Sequence, residues 1–138
     1  MEVVIDGVHR VKGKFLFALA ANGKFYGGGY QAAPMASEDD GLLDFIMIRV
    51  PKHRYSIPRL LIQYKNGTYV NSKEFEQLVA YYRGKRIEIR ACRDIAANCD
   101  GECRKTKPLS FSVLPRAARF LLPESCYLRR KEERMAQL

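Results

Sequence analysis

Two acidic turns carry the side chains best suited to chemistry. Glu38-Asp39-Asp40-Gly41 gathers three carboxylates in one loop. Such oxygens suit a hard cation such as Mg²⁺ or Ca²⁺, although the spacing does not fit the EF-hand calcium loop. The alternative is a solvated acidic turn. Asp100-Gly101-Glu102 lies within NCDGECRKTKP, beside Arg104, Lys105 and Lys107. A carboxylate on a glycine turn next to cations suits a general base acting on an anionic substrate. The same tripeptide also reads as an ordinary β-turn. Ser, His and Asp form no nucleophile triad motif. There is no P-loop, and Gly27-Gly28-Gly29 is not G-x-G-x-x-G.

The cysteines point away from a metal centre. Cys92, Cys99, Cys103 and Cys126 contain no C-x-x-C pair, and His9 and His53 lie far from Cys99 and Cys103. Zinc sites need tighter paired spacing. The expectation is reduced thiols, buried or incidental, in a cytosolic protein.

The elements that must position these residues follow from length and patterning. A chain of 138 residues is one domain with room for a core. At 47% hydrophobic residues it is globular in composition, which excludes a disordered chain. The longest apolar stretches, Phe15–Ala21 and Leu42–Val50, fall short of the ~18 residues of a membrane-spanning helix. The start, MEVVIDG, lacks the pattern of a secretory signal. Lys+Arg minus Asp+Glu is 24 − 15 = +9, unevenly spread. Residues 1–48 carry 4 − 6 = −2, and residues 49–138 carry 20 − 9 = +11. That asymmetry suits nucleic acid, an anionic membrane surface or a phosphate-bearing substrate, or else a solvated basic face.

Val3–Ile5, the Asp6-Gly7 turn and Val8–Val11 predict a hairpin. Lys14–Ala21 is strand-like and apolar on both faces, and Asn22-Gly23 is a tight-turn signal. The Gly27–Gly29 triplet interrupts a strand pattern, implying a bulge or close approach of another chain or ligand. Leu42–Val50 is a strongly apolar strand. Ile57, Leu60, Leu61 and Tyr64 are spaced as on a helix over Ser56–Tyr64, which Asn66-Gly67 stops. Asn71 and Glu74 resemble a cap, and Phe75, Leu78, Val79 and Tyr82 predict a second helix ending at Gly84. Arg86–Ala91 and Leu109–Val113 alternate as strands, and Arg119–Leu122 reads as a short one. Tyr127–Leu138 is a charged tail, helical or frayed. The fold class is mainly β (α+β): an antiparallel β-sandwich with a two-helix excursion at about 55–83.

The ordered pieces Asn22-Gly23, Tyr26-Gly27-Gly28-Gly29, Ala33-Pro34-x-Ala36 and Asp39-Asp40-Gly41-Leu42-Leu43-Asp44 are followed at a distance by Asp100-Gly101-Glu102. Pro108, Val113-Leu114-Pro115 and Leu121-x-Pro123 complete the series. This set, over roughly residues 2–123, resembles the C-terminal half of the bacterial diacylglycerol kinase-like lipid kinases, relatives of the sphingosine and ceramide kinases. The resemblance implies a two-domain enzyme with its active site in the cleft between a nucleotide-binding domain and a β-sandwich. Residues 1–125 match the substrate-side sandwich and residues 126–138 form the tail. The family's ATP-binding N-terminal domain, with its Gly-Gly-Asp-Gly-Thr loop, has no counterpart in this sequence.

By the same resemblance, Glu102 is the general base that deprotonates a lipid hydroxyl for attack on the γ-phosphate of ATP, and Asp100 holds its turn. Asp40 matches the aspartate of a Mg²⁺ site completed by backbone carbonyls near Ser37 and Leu42. Asn22, Gly27, Gly28 and Gly29 match a segment facing the cleft. The implied setting is cytoplasmic and peripheral to a membrane, with a lipid substrate, and the chain alone is expected to be inactive. An exposed cleft face favours self-association. The competing readings are a non-catalytic basic β-module for anionic membrane or RNA, and a regulatory remnant. Base stacking would suit eight Tyr and seven Phe. Phe15, Phe17, Phe45, Phe75 and Phe111 sit at core-like positions, however, which argues against nucleic acid.

Overall fold

Glu2–Ile5 (β1) and His9–Lys12 (β2) form the expected hairpin, closed where Val8 N–H donates to the Ile5 carbonyl at 3.0 Å. The computed structural model describes residues 1–119, 121 and 123. Phe15–Ala21 (β3) and Leu43–Arg49 (β4) precede a helix at Ser56–Lys65 (α1) and a 3₁₀ turn at Thr68–Asn71. Val79–Gly84 (β5), Arg86–Arg90 (β6), Ile95–Cys99 (β7), Glu102–Thr106 (β8) and Leu109–Ser112 (β9) follow. They build antiparallel sheets in the orders β2-β1-β6-β9, β3-β4-β5 and β7-β8.

β4 explains the layering. Ile46 and Ile48 point to one face, Phe45 and Met47 to the other, and all four are buried. Phe45 and Met47 pack on Val3, Ile5, Val11, Ile87 and Ile89 of the first sheet, which closes the sandwich. Ile46 and Ile48 pack on Leu60 and Tyr64 of α1, on Tyr69 and Phe75, and on Ala32, Ala33 and Ala36. A strand covered on both faces needs apolar residues in succession, which is the pattern of Phe45–Ile48. Full burial of each such side chain stabilises by about 2 kcal/mol. Phe45 and Phe75 are core residues, and Phe15, Phe17 and Phe111 pack against the two cores.

α1 forms where its spacing predicts, and Gly67 at φ 70° ends it. It buries Leu60 and Tyr64 but leaves Leu61 half in solvent. The second helix expected up to Gly84 is not formed. Short turns carry the chain instead, with Phe75 N–H bonding the Ser72 carbonyl and Leu78 N–H the Phe75 carbonyl. Val79–Gly84 then becomes β5, from Ile48↔Val79 to Leu43↔Gly84. Phe75, Leu78, Val79 and Tyr82 satisfy the helical period. The open edge of β4 offers a full ladder to a segment rich in β-branched and aromatic residues, and that pairing wins.

The excursion is therefore one α-helix and a 3₁₀ turn. The strand expected at Arg119–Leu122 lies partly outside the described residues. Cys126 and the tail Tyr127–Leu138 lie wholly outside them.

Candidate functional site

The acidic loop meets the sheet at one end of β4 and β5. Asp40 Oδ1 accepts the Leu42 N–H at 2.8 Å, and Ser37 Oγ donates to Asp39 Oδ1 at 3.0 Å. Arg83 Nη2 pairs with Asp40 Oδ2, while Arg83 Nε stands 3.5 Å from Asp44 Oδ1. The Tyr81 hydroxyl donates to that same Asp44 oxygen at 2.7 Å. Asp44 is only 1% exposed, and its Oδ2 is buried without a hydrogen-bond partner. Burial pushes the Asp44 carboxyl above its usual range, and the Tyr81 bond and the Arg83 charge pull against that push. Burial likewise raises the Tyr81 hydroxyl, aided by its bond to Asp44.

Ser37, Asp40 and Leu42 thus share one loop, and the loop is tied through Arg83 to Asp44. Its donors are oxygens, which suits a hard cation. A cation at Asp40 would compete with Arg83 for Oδ2. Among the described residues no group of three His, Cys, Asp or Glu could hold a metal ion. Further ligands would have to come from main-chain oxygens.

Tyr81 and Arg83 escaped the sequence reading for one reason. On a strand, Val79, Tyr81 and Arg83 share a face with Ile46 and Asp44, whereas a helical reading puts Tyr82 on the apolar side. The alternation of Tyr81 and Arg83 after Val79 was the available signal.

The Asn22-Gly23 turn borders this loop. A Cβ built on Gly23 would lie 3.5 Å from Glu38 Oε1. Gly27, Gly28 and Gly29 are not inside a strand. They form a loop closed by reciprocal Tyr26 and Tyr30 backbone bonds, both 3.0 Å. Their φ values of 50°, 75° and 90° are left-handed, and a Cβ on any of them would meet nothing within 4 Å. Backbone conformation therefore accounts for the triplet within this chain.

Asp100 and Gly101 join β7 to β8 as a two-residue loop with φ values of 50° and 102°. Positive φ at both positions is the type I′ hairpin turn. Gly101 N–H bonds Asn98 Oδ1 at 2.8 Å. Glu102 opens β8, is 76% exposed, and pairs with Arg104 Nη2 at 3.1 Å. This hairpin was missed as a pair of strands because its residues are mostly exposed and lack apolar alternation. No described hydrogen bond or ion pair joins it to Asp40 or to the glycine loop.

Cys99 and Cys103 also lie here. Cys99 opposes Glu102 and Cys103 opposes Asn98, so the two thiols point to opposite faces. Cys92, Cys99 and Cys103 are free and exposed, the incidental rather than the buried form of the expected reduced thiols. Among the described residues no helix is long and apolar enough to cross a membrane.

Comparison with known proteins bears on the whole assembly. The model of the YegS C-terminal NAD kinase beta sandwich-like domain matches residues 1–122. A "Probable lipid kinase YegS-like" of Pseudomonas aeruginosa (strain UCBPP-PA14) is 33% identical over 123 residues, 89% of this chain and 38% of that protein. Its namesake in Shewanella frigidimarina (strain NCIMB 400) is 32% identical over 115 residues, 83% of this chain and 35% of that one. A solved structure, "Crystal structure of a putative diacylglycerol kinase from Bacillus anthracis str. Sterne", matches with a TM-score of 0.62 at 20% identity. That match covers 83% of this chain and 36% of the other. The chain thus spans less than two-fifths of the length of these relatives.

Proposed function

The chain belongs to the family of YegS C-terminal NAD kinase beta sandwich-like domains, and from that premise we propose that it is the substrate-side domain of an ATP-dependent lipid kinase of the diacylglycerol kinase type. The observation that carries this reading is the family match over residues 1–122, joined to relatives named as lipid kinases that are more than twice as long. A nucleotide-binding half would complete the enzyme, with the active site between the two and the lipid at a membrane surface on the cytoplasmic side.

Phosphoryl transfer asks little covalent chemistry of a protein and much positioning and charge neutralisation. In this reading Glu102 accepts the proton of the lipid hydroxyl. The freed oxygen attacks the γ-phosphorus, a new O–P bond forms, and the bond to the bridging oxygen breaks to release ADP. Glu102 suits the role because it is exposed on a hairpin, one residue past a tight turn set by Asp100 and Gly101. Arg104 at 3.1 Å keeps the carboxylate oriented and a cation close to the transferred phosphate. Asp40, with main-chain oxygens near Ser37 and Leu42, would hold Mg²⁺, which when bound organises the loop by its charge. Asn22 and Gly27–Gly29 would face the nucleotide-binding half.

The test is reconstitution. The chain, joined to the N-terminal half of the Pseudomonas aeruginosa relative, is expected to move the γ-phosphate of ATP to diacylglycerol in mixed micelles. No phosphorylated lipid from a folded fusion, with that relative active in the same assay, would overturn the reading.

A further inference from the structure

The sequence holds two Asn-Gly pairs, Asn22-Gly23 and Asn66-Gly67. Asparagine is a thermolabile residue, and a following glycine gives it a route to self-modification. The glycine backbone nitrogen attacks the asparagine Cγ, and the new N–C bond closes a five-membered imide. The side-chain nitrogen leaves as ammonia, taking up the proton that the backbone nitrogen loses. Water then opens the imide at either carbonyl, leaving aspartate or isoaspartate. The attack needs a glycine N–H with no other partner, a backbone able to turn, and no Cβ in the way.

The fold treats the two pairs differently. Asn66 ends α1 at ψ 0°, and its N–H bonds the Ile62 carbonyl at 3.2 Å. The Gly67 N–H bonds the Tyr64 carbonyl at 3.3 Å. Gly67 is itself buried, and a Cβ built on it would lie 2.9 Å from the Gln31 side chain. Turning this peptide toward the Asn66 side chain breaks a hydrogen bond and moves packed backbone.

None of these restraints acts on the other pair. The β3–β4 ladder ends at Ala21↔Asp44, one residue before Asn22. Asn22 is exposed, and among the described residues the Gly23 N–H has no acceptor. Gly23 also lies outside the left-handed region, so its conformation does not demand a glycine. A Cβ there would make ordinary contact with Glu38 Oε1 at 3.5 Å.

We propose that Asn22-Gly23 is a site of spontaneous deamidation in the folded chain, while the end of α1 holds Asn66-Gly67 unreactive. The product places a new carboxylate at position 22, on the turn that borders Glu38. If Asn22 faces the nucleotide-binding half, a placement that rests on the lipid kinase reading, that charge repels the phosphates of ATP.

Prolonged incubation of the 138-residue chain in mildly alkaline buffer, then trypsin and mass spectrometry, tests this without any turnover. The two pairs fall in separate tryptic peptides, residues 15–24 and 66–73. Peptide 15–24 is expected to gain about one mass unit, with isoaspartate at position 22, and peptide 66–73 to change at least about ten-fold more slowly. In urea the two pairs should react at similar rates, because the fold no longer separates them. Gly23→Ala should slow the change at position 22 by about ten-fold or more with melting unaltered.

Equal rates for the two pairs in the folded chain overturn the proposal. So does an Asn22 that stays intact in the folded chain while the chain in urea is modified, or a Gly23→Ala chain that ages like the unaltered one. A fusion aged until position 22 is modified should lose lipid phosphorylation in step with the modified fraction. An aged fusion at full rate overturns the placement of Asn22 at the nucleotide alone. A fresh fusion that phosphorylates nothing overturns the kinase reading, and the peptide measurement on the chain still decides the deamidation.

Discussion

Tyr81 donates its hydroxyl to Asp44 Oδ1 at 2.7 Å, and this contact between β5 and β4 holds the fold's one fully buried carboxylate among the described residues. The Arg83 guanidinium links the same oxygen to Asp40. Removing the carboxylate leaves a partly buried hydroxyl and a partly buried cation without their acceptor. Asp44→Ala is therefore expected to lower stability by about 3 kcal/mol. Asp44→Asn keeps an acceptor for Tyr81 and should lose less. Urea unfolding of the two variants checks this, and equal losses would show that the Tyr81 bond contributes nothing.

Burial raises the hydroxyls of Tyr64 and Tyr69 above the ordinary value of 10.0. In each case the folded state holds its proton at a pH where the unfolded chain has released it. Stability should then fall as pH rises above that ordinary value, by about 1.4 kcal/mol per pH unit for each residue. Tyr64→Phe should flatten the alkaline limb of a urea midpoint series. Tyr69→Phe should flatten it too and also cost about 1 kcal/mol near neutrality, since the Tyr69 hydroxyl bonds the buried Ala32 carbonyl at 2.5 Å. An alkaline limb unchanged in both variants would contradict the burial argument.

Gly28 has φ 75° and open space where a side chain would grow. Gly28→Ala should cost about 1 kcal/mol by conformation alone. If the loop faces a second domain in the complete enzyme, the same change should lower the rate of a fusion far more than it lowers the folded fraction. Melting and rate measured on one preparation separate the two effects.

Asp40 is the carboxylate proposed to hold Mg²⁺, and Arg83 already pairs with it. Mg²⁺ should raise the melting temperature of the chain, and Asp40→Asn should abolish that rise. Arg83→Met, which frees Asp40 Oδ2, should increase the response. A Mg²⁺ response that survives Asp40→Asn would move the ion elsewhere.

Much of this was legible in the residues. Asp6-Gly7, Asn66-Gly67 and Asp100-Gly101 mark turns whose positive φ values the structure bears out. The apolar run Phe45–Ile48 announced β4 as a strand, and the structure covers both of its faces. Helix α1 followed from Leu60 and Tyr64. What failed was the segment after Asn71, where Phe75, Leu78, Val79 and Tyr82 fit a helical period as well as a strand's. The deciding term is long-range: β4 has an edge to fill, and nothing in residues 71–84 records it. That error also hid Tyr81 and Arg83, the two side chains that tie Asp44 to the acidic loop. The β7–β8 hairpin was illegible for another reason, since its mostly exposed strands bury little beyond Ala97 and leave no apolar signature.

The central claim is that Glu102 is the base of a phosphoryl transfer. The most direct measurement is the rate of lipid phosphorylation by the fusion carrying Glu102→Gln, with its melting temperature recorded beside it. Because the Glu102 side chain is exposed and, among the described residues, pairs only with Arg104, melting should be unchanged while the rate falls by about a hundred-fold or more. A Glu102→Gln fusion that phosphorylates lipid at the rate of the unaltered protein would contradict the account.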